Sequence, residues 1–369
     1  MQESPLKEIE KLRREEDLKI FQRNKNRYAV IIRESESLTA YFFSTPIYRL
    51  KERKLVQLNF TNMNGTYIHQ GSNAMVKVTD QDVKISNELG KIRIFFNQQS
   101  FAVQNHSLVS SNMQIIPTLN GIALKQRMSG QQISFHIQTE NVYEIRSNSK
   151  YVAFMREKFL PFATFGLLPG LTAGRCIPTQ MEVKKVDDRN YQIFIFHTAA
   201  EEIFFELNLY EGKLFQDTTV ESYKDYENNA FGPITFLGNT EIFGQQWLYS
   251  RPDLSRLSDW EAGSIRRVRL HIPVYGKLEG TAAAYPLTER FCSFGSMWNN
   301  KIQPVSQKRE GSFENGYQSF ELTDFITTLS GGFKRTEGMV LKNNGPGYTV
   351  MATGDNYYTP QILEINYIP

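Results

Sequence analysis

Apolar and polar residues alternate with a period of two along most of the chain after Arg27, the spacing that sends successive side chains to opposite faces of a β-strand. Residues 75–78, 82–85 and 91–96 are short runs of this kind separated by turn formers. Residues 191–197 place Ile193 and Ile195 on one face, and residues 203–210 set Ile203, Phe205, Leu207 and Leu209 against Phe204, Glu206, Asn208 and Tyr210. Asn64-Gly65, between β-rich runs at 56–60 and 66–69, supplies the two positive-φ residues that a type I′ hairpin demands. Ser129-Gly130 joins 122–128 to 132–139 and reads as a further hairpin. Short strands at such regular spacing predict antiparallel sandwiches rather than βαβ units.

The C-terminal part continues the pattern. Residues 217–220 read as an opening strand, 228–232 as its turn, and 264–272 as a central strand with Val268, Leu270 and Ile272 on one face and Arg267, Arg269 and His271 on the other. Residues 317–323 precede a short helical or irregular piece, 337–342 form another strand, and a Gly354-Asp355-Asn356 bend leads through Pro360 into a closing strand at 362–367. At the N-terminus, residues 4–24 favour a helix, with Ser4 as cap and Pro5 at the first helical position. Its apolar stripe of Leu6, Ile9 and Leu12 is too short for a long coiled coil, so it reads as a solvated helix or as an arm that docks on a neighbouring subunit. The expected fold is all-β: two β-sandwich, jelly-roll-like domains preceded by a short charged N-terminal helix. The boundaries are 1–26 for the arm, 27–214 for a scaffold sandwich and 215–369 for the second sandwich, with a seam at Gly212-Lys213-Leu214.

Composition narrows the function. A chain of 369 residues accommodates two domains, each with its own core. The formal charge of +3 carries no basic tail, so no nucleic-acid partner is expected. Residues 7–19 are almost entirely charged, unlike a secretory signal. Either a leader was removed, or the protein is extracellular or particle-associated without a classical signal peptide. The apolar stretch around 159–171 is broken by Pro161, Gly166 and Pro169 and does not span a bilayer. The wider segment 151–174 is either an exposed apolar loop that inserts into a partner or, the commoner fate of such residues, a core strand with a buried crossover. Cys176 and Cys292 have no Cys or His neighbours at metal spacing and read as two buried free thiols.

No catalytic constellation stands out. The five histidines, His69, His106, His136, His197 and His271, are scattered singly, and neither a nucleophile elbow nor a phosphate-cradling glycine loop is present. Asp187-Asp188 falls in a turn, where aspartate supplies turn chemistry. The expectation is a protein that is not an enzyme. Among aromatic residues, Trp260, Tyr357 and Tyr358 sit in polar loops and are the candidates for exposed sugar-stacking surfaces. Asp217, Asp355 and Asn356 could lend oxygens to a structural calcium ion or serve turns; no other cofactor is expected.

The order of pieces from 215 to 369 resembles the DNRLRE family of disaggregatase-related jelly-roll modules. The opening strand Asp217-Thr218-Thr219-Val220, the turn 228–232, the run 266–272 (RRVRLHI), Met297-Trp298-Asn299-Asn300, the segment 320–326 (FELTDFI), the strand 338–342 (GMVLK) and the terminal 360–367 follow that family's order. Residues 245–254 match its basic strand motif only loosely. The resemblance implies a surface-protein module of the kind that binds acidic polysaccharide. It makes Arg267, Arg269 and His271 the first candidate ligand contacts, since arginine suits bidentate recognition of carboxylate or sulfate. The alternative for the same row is a solvated face whose arginines pair with carboxylates on the next strand. Trp298, though part of the motif, is expected in the core. The leading function is a non-catalytic surface or particle-borne protein whose C-terminal jelly roll recognises a cell-surface, acidic glycan. The rival is a structural subunit of a phage virion, tail or other exported assembly, a homo-oligomer or a larger complex built through the arm.

Overall fold

The structure is a computed structural model that describes residues 27–34, 36–142, 145–146, 163–173, 175–196, 200–253, 264–327 and 336–368. The N-terminal arm, His197 and Trp260 lie outside the described residues. The chain forms two compact units. The inserted unit is made of Tyr48–Gly212 with Phe231–Ile234, and the C-terminal unit of the remaining described residues. Both are β-sandwiches. Among the described residues, no helix is long and apolar enough to cross a membrane.

In the inserted unit an eight-stranded antiparallel sheet packs on a nine-stranded one. The first contributes Val76, Val83, Ile85, Ile92, Ile94, Phe135, Ile137, Ile193 and Ile195 to the core, and the second contributes Ile115, Ile122, Leu124, Phe165, Phe205 and Leu207. These inward residues are the alternating positions of their strands, although Ala163–Leu167 and most of Glu202–Leu209 are buried at the intervening positions as well. Asn64 and Gly65 both have positive φ, 53° and 84°, and close the hairpin of Thr61–Met63 with Thr66–Gln70. The segment 56–60 is not the hairpin's first strand; three residues after it are.

Ser129-Gly130 does not close a hairpin. Gly121–Arg127 pairs with Met113–Pro117 and Glu202–Leu209 in one sheet, whereas Gln132–Glu140 pairs with Lys91–Phe95 and Asn190–Phe196 in the other. The turn therefore carries the chain across the sandwich, which lets Leu124 and Phe135 enter the same core from opposite sheets. Within 151–174, the strand Ala163–Leu167 is buried at all five positions, in accord with the core alternative; residues 151–162 and 174 lie outside the described residues.

The C-terminal unit corrects the expected boundary at 27. Ala29–Glu34 and Ser37–Phe43 form a hairpin whose second strand pairs with Ile362–Ile368, placing Ala40 and Phe42 in the same core as Leu363 and Ile365. The closing strand would otherwise present an unpaired edge, and residues at the start of the described chain cover it. The long strand Ser264–Tyr275 lies on the other side of Ile362–Ile368, with Val268, Leu270 and Ile272 in that core. Its last residues turn aside to pair with Tyr348–Ala352. Phe215–Glu221, Gly244–Pro252, Met339–Asn343 and Ala282–Pro286 build the facing layer. A single helical turn, Thr323–Ile326, follows the strand Tyr317–Glu321. The thiols depart from expectation: Cys292 is exposed in the loop after Phe291, and only Cys176 is partly buried.

Candidate functional site

The row Arg267, Arg269, His271 faces outward as the alternation requires, but it is already occupied by the protein's own carboxylates. Register places Arg269 between Glu321 and Glu364, and His271 opposite Ser319. Arg267 Nε donates to Glu321 Oε2 at 2.9 Å, and Arg269 donates to Glu364 Oε1 at 2.8 Å. His271 bridges Glu364 Oε2 at 2.8 Å and Ser319 Oγ at 2.7 Å. Burial alone would raise the Glu364 carboxyl, but His271 and Arg269 together hold it below the usual glutamate range. The row is a cross-strand ion network: its arginines pair with carboxylates on the neighbouring strands, as one of the two readings expected, but His271 and Glu364 are buried within it rather than solvated.

The other candidates are also claimed by the fold. Tyr357 is fully buried, and Tyr358 is partly buried with its hydroxyl pushed up by that burial. The cause is the bend before the last strand, where Asn356 Oδ1 accepts from Thr359 N at 2.6 Å and Asn356 Nδ2 donates to the Tyr275 hydroxyl at 2.9 Å. Asp217 and Asp355 both contact the Lys213 ammonium at 2.5 Å, and Lys213 donates also to Ala230 O at 3.1 Å. A calcium ion needs six to eight oxygens; here one lysine takes the cation's place between two carboxylates. Trp298 packs edge-on against Trp247 with ring centroids 5.1 Å apart, and the Lys342 ammonium lies 3.6 Å from the Trp247 centroid.

A site that the sequence reading did not single out lies on the outer face of the inserted unit's eight-stranded sheet. Three successive strands, Met75–Val78, Asp82–Ser86 and Lys91–Phe95, each carry a cation flanked by β-branched core residues: V-K-V, V-K-I and I-R-I. The flanking residues are buried, so Lys77, Lys84 and Arg93 point away from the core. Lys77 stands opposite Lys84, and Lys84 opposite Arg93. The row runs on to Ile68 at one end and Gln138 at the other, all five lining a hollow of about 630 Å³.

The electrostatics of this hollow are unbalanced. Lys77, Lys84, Lys91, Arg93 and Arg189 face two carboxylates, Asp82 and Glu140. Asp82 is buried beneath Arg93, pairs with its Nε and accepts from the Thr79 hydroxyl at 2.5 Å. The Arg93 guanidinium also lies 4.6 Å from the centroid of Phe95, which stacks on His136 at 5.2 Å. Arg93 is thus oriented, and its terminal amino groups have no partner among the described residues. Lys91 pairs with Glu140, whose carboxyl is held down chiefly by that lysine, with Arg189 and Lys84 adding to the pull. Neither Lys77 nor Lys84 has a carboxylate at ion-pair distance among the described residues. Like charges directly opposite one another on a sheet repel, and a polyanion relieves that repulsion. The V-K-V, V-K-I and I-R-I runs are the signal that points to this row, but only register shows that the three cations are adjacent.

No family model matches this chain, and no match to it is found among curated proteins.

Proposed function

We propose that the protein is a non-catalytic, surface or particle-borne binding protein for an acidic glycan, and that the glycan docks on the inserted unit's basic face. The observation that carries this reading is the in-register row Lys77, Lys84, Arg93 inside an open hollow, with neither lysine having a carboxylate at ion-pair distance among the described residues. A shallow, solvated, cationic track suits a polymer whose charges enter one at a time and whose hydroxyls meet Gln138 and Thr66 at the margins. The resemblance of 215–369 to modules that include binders of acidic polysaccharide supports the same ligand class, although the contacts proposed here lie in the other unit.

Calorimetric titration of the full chain with polygalacturonate and with neutral dextran tests this. Binding of the first, weakening with salt as counterion release requires and reduced by the Lys77→Ala, Lys84→Ala double variant, is the expected result. Equal heats with dextran, or none with any acidic polysaccharide, would sink it.

A further inference from the structure

Resting on that reading, we infer that the ligand is a linear polyanion with one carboxylate on every successive sugar, bound across the strands rather than along them. Direction follows from the distribution of charge on the face. Along the Asp82–Ser86 strand the outward residues are Asp82, Lys84 and Ser86, a single cation beside a carboxylate. Along Lys91–Phe95 they are Lys91, already paired with Glu140, then Arg93, then Phe95, which Arg93 covers. Only across the strands do three cations follow without interruption. Phe95, covered by Arg93 and stacked on His136, borders the row on one side, and the Lys91 to Glu140 pair borders it on the other.

Spacing sets the ligand's repeat. Adjacent strands lie about 4.8 Å apart, comparable to the advance of one pyranose residue along an extended chain. Successive carboxylates of such a chain project to different sides of its axis, and the long side chains of Lys77, Lys84 and Arg93 reach either side, so each of the three cations meets the carboxylate of one sugar. A polymer charged only on alternate sugars leaves one cation in three unanswered, and a nucleic acid presents its phosphates at a longer repeat. From Ile68 to Gln138 the row crosses five strands, roughly 19 Å from four inter-strand gaps, which is room for four to five sugars.

The test uses the full-length protein and oligogalacturonates of two to six residues, with their methyl esters, hyaluronan fragments of equal length and single-stranded DNA as controls. Affinity should climb with length up to four or five residues and then level, vanish on esterification, and exceed that for hyaluronan and DNA by about tenfold, as for one lost charge-assisted contact. Gln138→Lys lengthens the row across the strands and should raise the affinity for five- and six-residue chains by about threefold to fivefold, whereas Ser86→Lys adds a cation along a strand and should not. Equal gains from both variants, length-independent binding, or hyaluronan or DNA binding as tightly would overturn the transverse, one-charge-per-sugar track while leaving acidic-glycan binding in place. Failure of every acidic polysaccharide to bind would remove both.

Discussion

Lys77 and Lys84 stand directly opposite one another on adjacent antiparallel strands, and Lys84 has Arg93 opposite it on its other side. Aligned like charges cost a sheet a few tenths of a kcal/mol to about 1 kcal/mol. Lys84→Thr, which keeps a strand-favouring side chain, should therefore raise the unfolding free energy measured in urea at low salt by about that amount while weakening acidic-glycan binding. The gain should shrink in high salt, where the Debye length falls to about 3 Å. A variant that loses both stability and binding would mean the row is structural.

The ion network on the other unit gives the opposite expectation. Arg267→Ala with Arg269→Ala should leave polygalacturonate affinity within a factor of about two, because those arginines are engaged with Glu321 and Glu364. It should nonetheless destabilise the protein by about 1–3 kcal/mol, chiefly through the buried Glu364 left with His271 alone. Calorimetric titration and chemical denaturation of the same variant separate the two effects. Loss of binding would return the site to this strand.

Lys213, Asp217 and Asp355 form a buried group with two carboxylates and one ammonium. Burial and the neighbouring Asp217 push the Asp355 carboxyl well above the usual range, against the pull of Lys213. The folded state therefore holds this proton to higher pH than the unfolded state does. Its stability contribution is fully present below the unfolded carboxylate range and is lost as pH rises towards the folded value. Asp355→Asn should abolish that fall in denaturation free energy with pH. Lys213→Met should cost about 3–5 kcal/mol at neutral pH by leaving buried charge uncompensated.

His69 works in the other direction. Burial brings its pKa down to about 4, against 6.5 for a free ring, so the unfolded chain binds the extra proton first. Stability should fall as pH drops from 6.5 towards 4, by up to about 3 kcal/mol. The ring lies between Asn59 O at 3.1 Å and Thr118 O at 2.8 Å, and a neutral ring donates to only one of them. His69→Gln should lower stability at pH 7 and flatten the acid limb of the profile; an unchanged limb would assign it to other groups.

The amino-acid sequence by itself determined many of the strands and which of their residues share a face. Alternation is a local property: it placed Ile193, Ile195, Phe205 and Leu207 inside, and it turned Arg267, Arg269, Lys77, Lys84 and Arg93 outward, because side-chain direction depends only on parity along a strand. Asn64-Gly65 likewise set its turn through backbone sterics confined to two residues. Only the tertiary structure decided which strands lie side by side. That choice neutralised Arg269 with Glu364, 95 positions away, brought Lys213 to Asp355 over 142 positions, buried Tyr357, and joined Ser37–Phe43 to the closing strand. It also aligned Lys77, Lys84 and Arg93 into one row. Pairing is selected by burial of two complete sheet faces against each other, a global condition that no window of neighbouring residues contains.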